Sequence, residues 1–231
     1  MGVIGVLGAR GGAGASTVAA LLAHALAREG ETVLVQVGTG PSMDAVLGTE
    51  KVAGLRWPDL REARGEVDPG QLGARLRRWG RCGLLTPDDR QPEPVDAEVE
   101  GDVLTALRRR HHWVVVDLDR PGLLSGKPRP AVELCERVVL MVPRDIPAVA
   151  GARAVLRQLP DTAEVGVVTR GPAPGGLGGA EIAVALDRGW WGDLPGGRRL
   201  ARSVDAGVGP VPGARTARWL RRAVRVCAGA G

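Results

Sequence analysis

A glycine-rich segment near the start of the chain has the composition of a phosphate-binding loop. From Gly8 to Thr17 the sequence is GARGGAGAST, which contains four glycines and ends in two hydroxyl side chains. Glycine lets backbone N–H groups approach phosphate oxygens, and a helix that begins directly after the loop adds the positive end of its dipole. An ordinary turn between a strand and a helix is the alternative, and it does not need so many glycines. The candidate ligand contacts are Arg10, Gly11, Gly12, Ala13, Gly14, Ala15, Ser16 and Thr17.

The residues on either side of this loop predict a βαβ unit. Val3–Leu7 is a short apolar run rich in β-branched residues, which is typical of a buried strand. In Ser16–Arg28 the apolar residues recur at helical spacing, and Gly30 follows where a C-terminal cap is expected. Thr32–Val37 is the next predicted strand. This order implies a parallel sheet with a right-handed crossover.

The alternation of strands and helices continues to the end of the chain. Further strands are predicted at Cys82–Thr86, Trp113–Val116, Arg137–Val142 and Val165–Thr169. Helices are predicted at Gln71–Trp79, Ala97–Arg110, Pro147–Leu159, Ala180–Asp187 and Thr216–Cys227, with a loop at Pro121–Pro130 and turns plus a short helix between Trp190 and Pro212. We expect a single α/β domain over residues 1–231, a three-layer sandwich with a mostly parallel central sheet and its site at the carboxyl ends of the strands.

The loop resembles the Walker motif of the MinD/ParA group of P-loop ATPases, which reads K-G-G-x-G-K-[ST]-[ST]. The chain departs from this pattern at both lysines, which are replaced by Arg10 and Ala15. In the family the first lysine reaches across a dimer to the other subunit's nucleotide, and the second holds the β- and γ-phosphates. Arginine keeps the charge of the first, whereas alanine contributes nothing at the second. The resemblance implies ATP or ADP as ligand, Ser16 as a magnesium ligand, and a homodimer.

Of two further sequence motifs of the family, one is present in this chain and the other lacks its acidic residues. Val114–Asp117 resembles the Walker B strand, whose aspartate supports magnesium, although a strand-end carboxylate that caps the next turn is the alternative for Asp117. The family's second strand ends in a D-x-D-like pattern that handles the attacking water and the switch. Gln36 and Gly38 occupy those positions here, and neither is a carboxylate.

The resemblance extends over nearly all of residues 1–220. Thr169 and Arg170 stand where the family often has Asn-Arg near the adenine, and a later stretch from Pro195 to Gly209 resembles the segment beside the base. In detail the chain is similar to the CpaE-like, septum-site-determining proteins of actinobacteria, which are encoded near tight-adherence pilus and secretion genes. The lysine-free loop, the sequence GLRWPDL at residues 54–60 and the RGP at residues 170–172 carry that similarity.

The missing groups predict weak nucleotide binding and poor hydrolysis. Phosphoryl transfer depends on positioning and on neutralising charge as it develops on the phosphates. We therefore expect a pseudo-ATPase that regulates or scaffolds septum placement or pilus and secretion assembly, with proteins of that machinery as partners. A ParA-like DNA-associated partitioning protein and a true ATPase in which Arg10 compensates for the lysine are the alternatives.

The charge balance bears on those alternatives. Among 231 residues, 31 are basic and 26 acidic, and the net charge is +5. Non-specific DNA contact is expected through clusters of arginine if the DNA-associated alternative holds; the clusters are Arg75, Arg77, Arg78 and Arg81, and Arg108, Arg109 and Arg110. The terminal helix, about 215–228, has an apolar stripe and an arginine stripe. A packed helix with solvated arginines is favoured over peripheral contact with an anionic membrane.

The cysteine, tryptophan and histidine residues are expected to have structural roles. Three scattered cysteines without CxxC spacing argue against a disulfide scaffold or a zinc ribbon, and they fit a cytoplasmic protein. Trp57 is expected to be a packed anchor and the Trp190-Trp191 pair to close the core. The three histidines are expected to be solvated or to cap helices.

Overall fold

The central feature of the computed structural model, which describes residues 2–126 and 129–229, is one eight-stranded sheet. Its strands are β1 (Gly2–Gly8), β2 (Thr32–Gln36), β3 (Arg77–Trp79), β4 (Cys82–Leu85), β5 (Trp113–Asp117), β6 (Arg137–Pro143), β7 (Glu164–Arg170) and β8 (Gly189–Asp193). They lie in the order β3-β4-β2-β5-β1-β6-β7-β8. Only the β3–β4 pair is antiparallel among the described strands, which confirms the mostly parallel sheet.

Helices cover both faces of this sheet. They are α1 (Ala15–Leu26), α2 (Asp44–Leu47), α3 (Pro69–Arg75), α4 (Ala97–Arg110), α5 (Arg120–Leu124), α6 (Pro130–Glu133), α7 (Ile146–Leu156), α8 (Gly179–Ala185), α9 (Arg198–Asp205) and α10 (Ala214–Cys227), with a 3₁₀ turn at Trp57–Leu60. Alternate residues of each strand face opposite layers: Val114 and Val116 pack with α4, while Trp113 and Val115 pack with α1 and α10. The three-layer sandwich expected from the sequence is therefore confirmed.

The expected helix over Gln71–Trp79 is wrong in its second half. Helix α3 ends at Arg75, and Arg77–Trp79 form the edge strand β3. A tight turn at Gly80, whose φ is +58°, pairs Trp79 with Cys82 and makes a hairpin. The expected Pro121–Pro130 loop likewise contains the short helix α5, whose first turn Asp119 caps through Gly122 N.

Aromatic and histidine residues follow the expectations only in part. Trp57 is buried and donates from Nε1 to the Gln36 carbonyl oxygen at 2.7 Å, so it is a packed anchor. Trp190 is 45% exposed, so the expected core position is wrong for this residue, while Trp191 is partly buried. His111 is buried and its Nδ1 lies 3.0 Å from the carbonyl oxygen of Leu107 at the end of α4.

Helix α10 packs on the sheet rather than standing apart from it. Leu220, Ala223 and Cys227 are buried in the layer that contains α1, and the arginine side chains of α10 lie in solvent. This arrangement is the one favoured from the sequence. Within the described residues, no helix combines the length and the apolar character needed to cross a membrane.

A buried ion pair joins the segment after β2 to the edge hairpin. Arg77 is 1% exposed and donates to Asp44 Oδ2 at 2.7 Å, and the Thr86 hydroxyl donates to Asp44 Oδ1 at 3.0 Å. Arg56 adds a second guanidinium, 3.1 Å from Asp44 Oδ2. Burial alone would raise the pKa of Asp44, but Arg77 and the other donors hold it below its ordinary value of 3.8. The expected basic cluster at 75–81 thus loses Arg77 to the interior.

We expect Asp44→Ala to destabilise the protein by about 3–5 kcal/mol, because it leaves the buried Arg77 guanidinium unpaired. The double variant Asp44→Leu/Arg77→Met removes both charges and should be markedly more stable than the single variant. Urea denaturation at pH 7 measures both. A double variant as unstable as Asp44→Ala would contradict the assignment.

The same ion pair predicts an acid sensitivity. Because the folded pKa of Asp44 lies below 3.8, its stabilisation is present above the unfolded pKa and is lost as pH falls through the folded pKa. Between about pH 5 and pH 2 the wild type should therefore lose more unfolding free energy than the Asp44→Leu/Arg77→Met variant. If the two proteins lose the same unfolding free energy on acidification, this prediction is contradicted.

Candidate functional site

The glycine-rich loop lies at the carboxyl end of β1 and leads directly into α1. Gly12 and Gly14 have φ values of +69° and +94°, in the region that favours glycine, and Gly14 is the N-cap residue of α1. No described atom lies within 4 Å of a Cβ placed on Gly11 or Gly12. The loop therefore presents open backbone beside a helix N-terminus, which is the geometry that accepts an anion.

The structure brings Ser16 and Asp117 together. Parallel pairing of β1 with β5 places Asp117 opposite Val6, and the Ser16 side chain lies close enough to the Asp117 carboxylate to lower its pKa. Asp117 is 5% exposed, and burial, with a smaller contribution from the charge of Asp119, outweighs Ser16 and raises the pKa of Asp117 to about 6. A hydroxyl and a buried carboxylate side by side form an oxygen donor pair of the kind that Mg²⁺ prefers. Asp119, not Asp117, caps the following turn.

Arg10 does not point freely over the loop. Its Nη2 donates to Asp145 Oδ2 at 2.6 Å, and Asp145 also caps α7 by accepting from Ala148 N at 2.8 Å. The hydrogen bond and charge of Asp145 raise the pKa of Arg10, and Arg10 lowers that of Asp145. Sequence reasoning missed Asp145, although it follows β6 at the same sheet edge where Asp117 ends β5.

Arg170 reaches the loop from the end of β7. Its Nη1 donates to the Ala13 carbonyl oxygen at 3.4 Å and lies 2.9 Å from a Cβ placed on Gly14. The guanidinium of Arg170 thus lies beside the turn that leads into α1. Thr169 behaves differently: it is buried, its hydroxyl donates to Asp193 Oδ1 at 2.5 Å, and it accepts from Trp190 Nε1 at 3.1 Å.

A cavity of about 250 Å³ opens next to the loop. Gly14, Thr17 and Arg170 form one side of it. Pro195, Leu200 and Val204 are among the residues of the other side, from the segment that the sequence placed beside a base. The apolar wall and the adjacent open loop have the arrangement of a site for a ring that carries phosphates.

Gln36 replaces the first expected acid and is fully engaged in the fold. Its Nε2 donates to the Pro41 carbonyl oxygen at 2.9 Å, and its Oε1 accepts from Met43 N at 2.8 Å. These two bonds tie the end of β2 to the backbone of the segment that leads into α2. The side chain therefore holds this segment in place and is not directed to the loop.

Gly38 replaces the second expected acid, and the structure leaves no room there for a side chain. Its φ is +95°, and a Cβ at this position would lie 2.4 Å from Cβ and Cγ of Asp119. Among the described residues there is also no cluster of three or more histidine, cysteine, aspartate or glutamate side chains that could hold a metal ion. Neither position of the expected acid pattern therefore places a carboxylate beside the loop.

Comparison with known sequences gives one family match and curated relatives. Residues 1–45 match the family model described as cellulose biosynthesis protein BcsQ. The uncharacterized protein Rv3660c of Mycobacterium tuberculosis is 37% identical over 187 residues, which are 78% of this chain and 51% of that protein. The chain therefore spans about half the length of the curated relatives it matches.

Solved structures similar to this chain define its fold class. A ParA family ATPase from Chlorobium tepidum TLS matches with a TM-score of 0.79 at 16% identity, over 100% of this chain and 98% of that one. The septum site-determining protein MinD complexed with Mg-ADP, from Pyrococcus horikoshii OT3, matches with a TM-score of 0.74 at 16% identity, over 99% and 97%. The chain has the fold of the MinD/ParA-type P-loop NTPases.

Gly38→Asp introduces an acid at the position where the D-x-D-like pattern has one. We expect it to destabilise the protein by about 2–4 kcal/mol. The new side chain would sit on a backbone with positive φ and would clash with Asp119. Gly40→Asp is the matched control, since its φ lies outside the left-handed range and no described atom lies within 4 Å of its Cβ. Thermal and urea unfolding measure the difference. Equal effects at the two positions would contradict the packing argument.

Proposed function

We propose that this chain is a MinD/ParA-type pseudo-ATPase, which binds nucleotide weakly in its glycine-rich loop and hydrolyses it poorly. The observation that carries the proposal is the combination of an open loop with Ala15 where a phosphate-binding lysine is expected. Backbone N–H groups, Arg170 and the α1 dipole still attract phosphate. Ligand binding and catalysis are thus separable in this site.

The switch region supports the same proposal. In a hydrolysing enzyme a carboxylate near the γ-phosphate helps to orient the attacking water, and Gln36 and Gly38 replace the expected acids. Both hydrogen-bonding groups of the Gln36 side chain are used by the chain's own backbone. The site lacks both the phosphate-binding lysine and the switch acids. The loss of each of these groups is expected to cost several kcal/mol of transition-state stabilisation.

Magnesium fits the donor pair that the structure forms. Ser16 and Asp117 would hold it, Asp117 through water, and bound Mg²⁺ would neutralise charge on the phosphates. The Pyrococcus MinD structure contains Mg-ADP, which supports the choice of ligand by analogy. Ser16 and Asp117 are the side chains that would orient the cation, and Arg170 lies beside the turn into α1.

We propose a regulatory or scaffolding role for this body in septum site determination or in tight-adherence pilus and secretion assembly. Support comes from the similarity to septum site-determining MinD and from the lysine-free loop sequence. Proteins of that machinery, and a second copy of this chain, are the proposed partners, and the cytoplasm is the proposed location. A ParA-like DNA-associated role is supported less, because Arg77 of one basic cluster is buried.

The decisive experiment is titration calorimetry with ATP and ADP, with and without Mg²⁺, followed by a phosphate-release assay. We expect weak binding, no release above background, and about tenfold tighter ATP binding in Ala15→Lys, because a lysine adds a charge-assisted bond to phosphate. Ala15→Met is the control for side-chain length without charge, and it should not tighten binding.

Two outcomes would overturn the proposal. A robust turnover that disappears in Ser16→Ala would make the chain a true ATPase, with Arg10 as the first residue to test for compensation. An absence of binding at millimolar nucleotide would make the loop a structural feature only.

A further inference from the structure

A second cavity lies at the edge of β8 away from β7, between that strand and α10. Its volume is about 490 Å³. Its principal side chains are three tryptophans and three arginines: Trp190, Trp191, Trp219, Arg215, Arg218 and Arg222. We call it the Trp–Arg groove. It is a different cavity from the one beside the loop, although Pro195 lines both, and none of the glycine-rich loop residues lines it.

Strand β8 has an irregular register where it borders the groove. Val167 pairs with Trp190 and Val168 with Gly192, so Trp191 is an extra residue in the strand. The Trp191 ring packs over Gly166 of β7, whereas Trp190 Nε1 donates to the Thr169 hydroxyl near Gly179 of α8. Both tryptophans line the groove.

The three arginines lie on one side of α10 and are exposed. Residues three and seven positions apart share a helix face, so Arg215, Arg218 and Arg222 form a row about 10 Å long. In the part of the chain that the structure describes, none of the three is within ion-pair distance of a carboxylate. Asp193 also lines the groove, but its charge is engaged by the Thr169 hydroxyl and by Arg144, 3.9 Å away. The row carries uncompensated positive charge.

Trp219 forms the inner wall of the groove. It is 7% exposed, and its Nε1 is buried beside Gly192. Trp219 therefore contributes packed apolar surface beneath the arginine row, and the contacts open to a ligand are the arginines and Trp190.

We propose that the Trp–Arg groove binds an acidic segment of a protein partner, in which carboxylates flank one apolar or aromatic anchor residue. Two carboxylates on alternate residues of an extended segment lie about 6.7 Å apart, so both fit within the arginine row, which is about 10 Å long. Trp190 is the exposed surface for the anchor, and its Nε1 bond to Thr169 fixes the ring beforehand. Tryptophan and arginine are among the residues that most often dominate binding energy at interfaces.

A nucleic-acid strand fits the groove less well. Such strands are held by several successive aromatic platforms, each stacked on one base. Here Trp219 is buried and Trp191 is partly buried, so Trp190 is the one ring of the groove with a widely exposed surface. A peptide needs only one anchor, which is what the groove provides.

The test uses a displayed library of random 12-residue peptides, selected on the wild-type protein against an excess of the Arg215→Glu/Arg218→Glu/Arg222→Glu variant. We expect enriched sequences with two or more acids around one apolar or aromatic residue. Fluorescence anisotropy of a selected peptide then gives affinities for single variants. Circular dichroism and thermal unfolding confirm that each variant is folded.

Matched variants distinguish peptide binding in the groove from non-specific attraction of the peptide to the protein's positive charge. Arg218→Glu should weaken binding at least about tenfold, and Trp190→Ala roughly 30-fold, as for a hot-spot residue. Arg221→Glu makes the same charge change on the same helix at a side chain that lines a different cavity, beside α1. It should weaken binding by no more than about twofold, because an exposed charge that makes no direct contact contributes little. If folding is compromised in Trp190→Ala, Trp190→Leu replaces it.

Several results would overturn the proposal. These are an absence of enrichment over the triple variant, equal losses in Arg218→Glu and Arg221→Glu, or selected peptides in which the anchor is dispensable. Tighter binding of a 12-nucleotide oligo-dT than of the peptide would reassign the groove to nucleic acid. Self-association that Arg218→Glu abolishes, with no peptide binding, would reassign it to a second copy of the chain.

Discussion

Parallel pairing of β1 with β5 on one side and β6 on the other is the constraint on which the loop site depends. Parallel strands end at a common edge of the sheet, where Asp117 lies opposite Val6 and Met141 lies opposite Gly8. The loop after β1 thereby meets the carboxylate at the end of β5, and Arg10 meets the acid that follows β6. Residues more than a hundred positions apart become neighbours because of strand order alone.

Several residues near this edge are held by contacts within the chain itself. Gln36 bonds its own backbone segment, Gly38 packs against Asp119, and Arg10 is held by Asp145. Gln36 is buried, and its two hydrogen bonds satisfy both polar groups of its side chain without a ligand. The segment after β2 is then fixed further by the Asp44–Arg77 ion pair. A body held in this way is suited to presenting surfaces to partners.

The loop site and the Trp–Arg groove are physically connected through β7 and β8. Thr169 lies next to Arg170 of the loop site, and its hydroxyl bonds both Asp193 and Trp190 of the groove. Pro195 lines both cavities. The two sites therefore share a wall, although their chemistry differs: one offers backbone N–H groups, and the other offers guanidinium groups beside an indole ring.

The amino-acid sequence by itself determined the sandwich architecture and the phosphate-type loop, which follow from apolar runs, glycine spacing and the rule that parallel strands share an edge. Ser16 and Asp117 were indicated only by the resemblance of their segments to the Walker motifs, and the fold brings the two residues to the same edge of the sheet. Tertiary structure alone decided that Arg77–Trp79 is a strand, because a buried Asp44 draws Arg77 inward against the helical pattern. It also decided the Arg10–Asp145 pair and the exposure of Trp190, which depend on long-range contacts and on a bulge that no local pattern encodes.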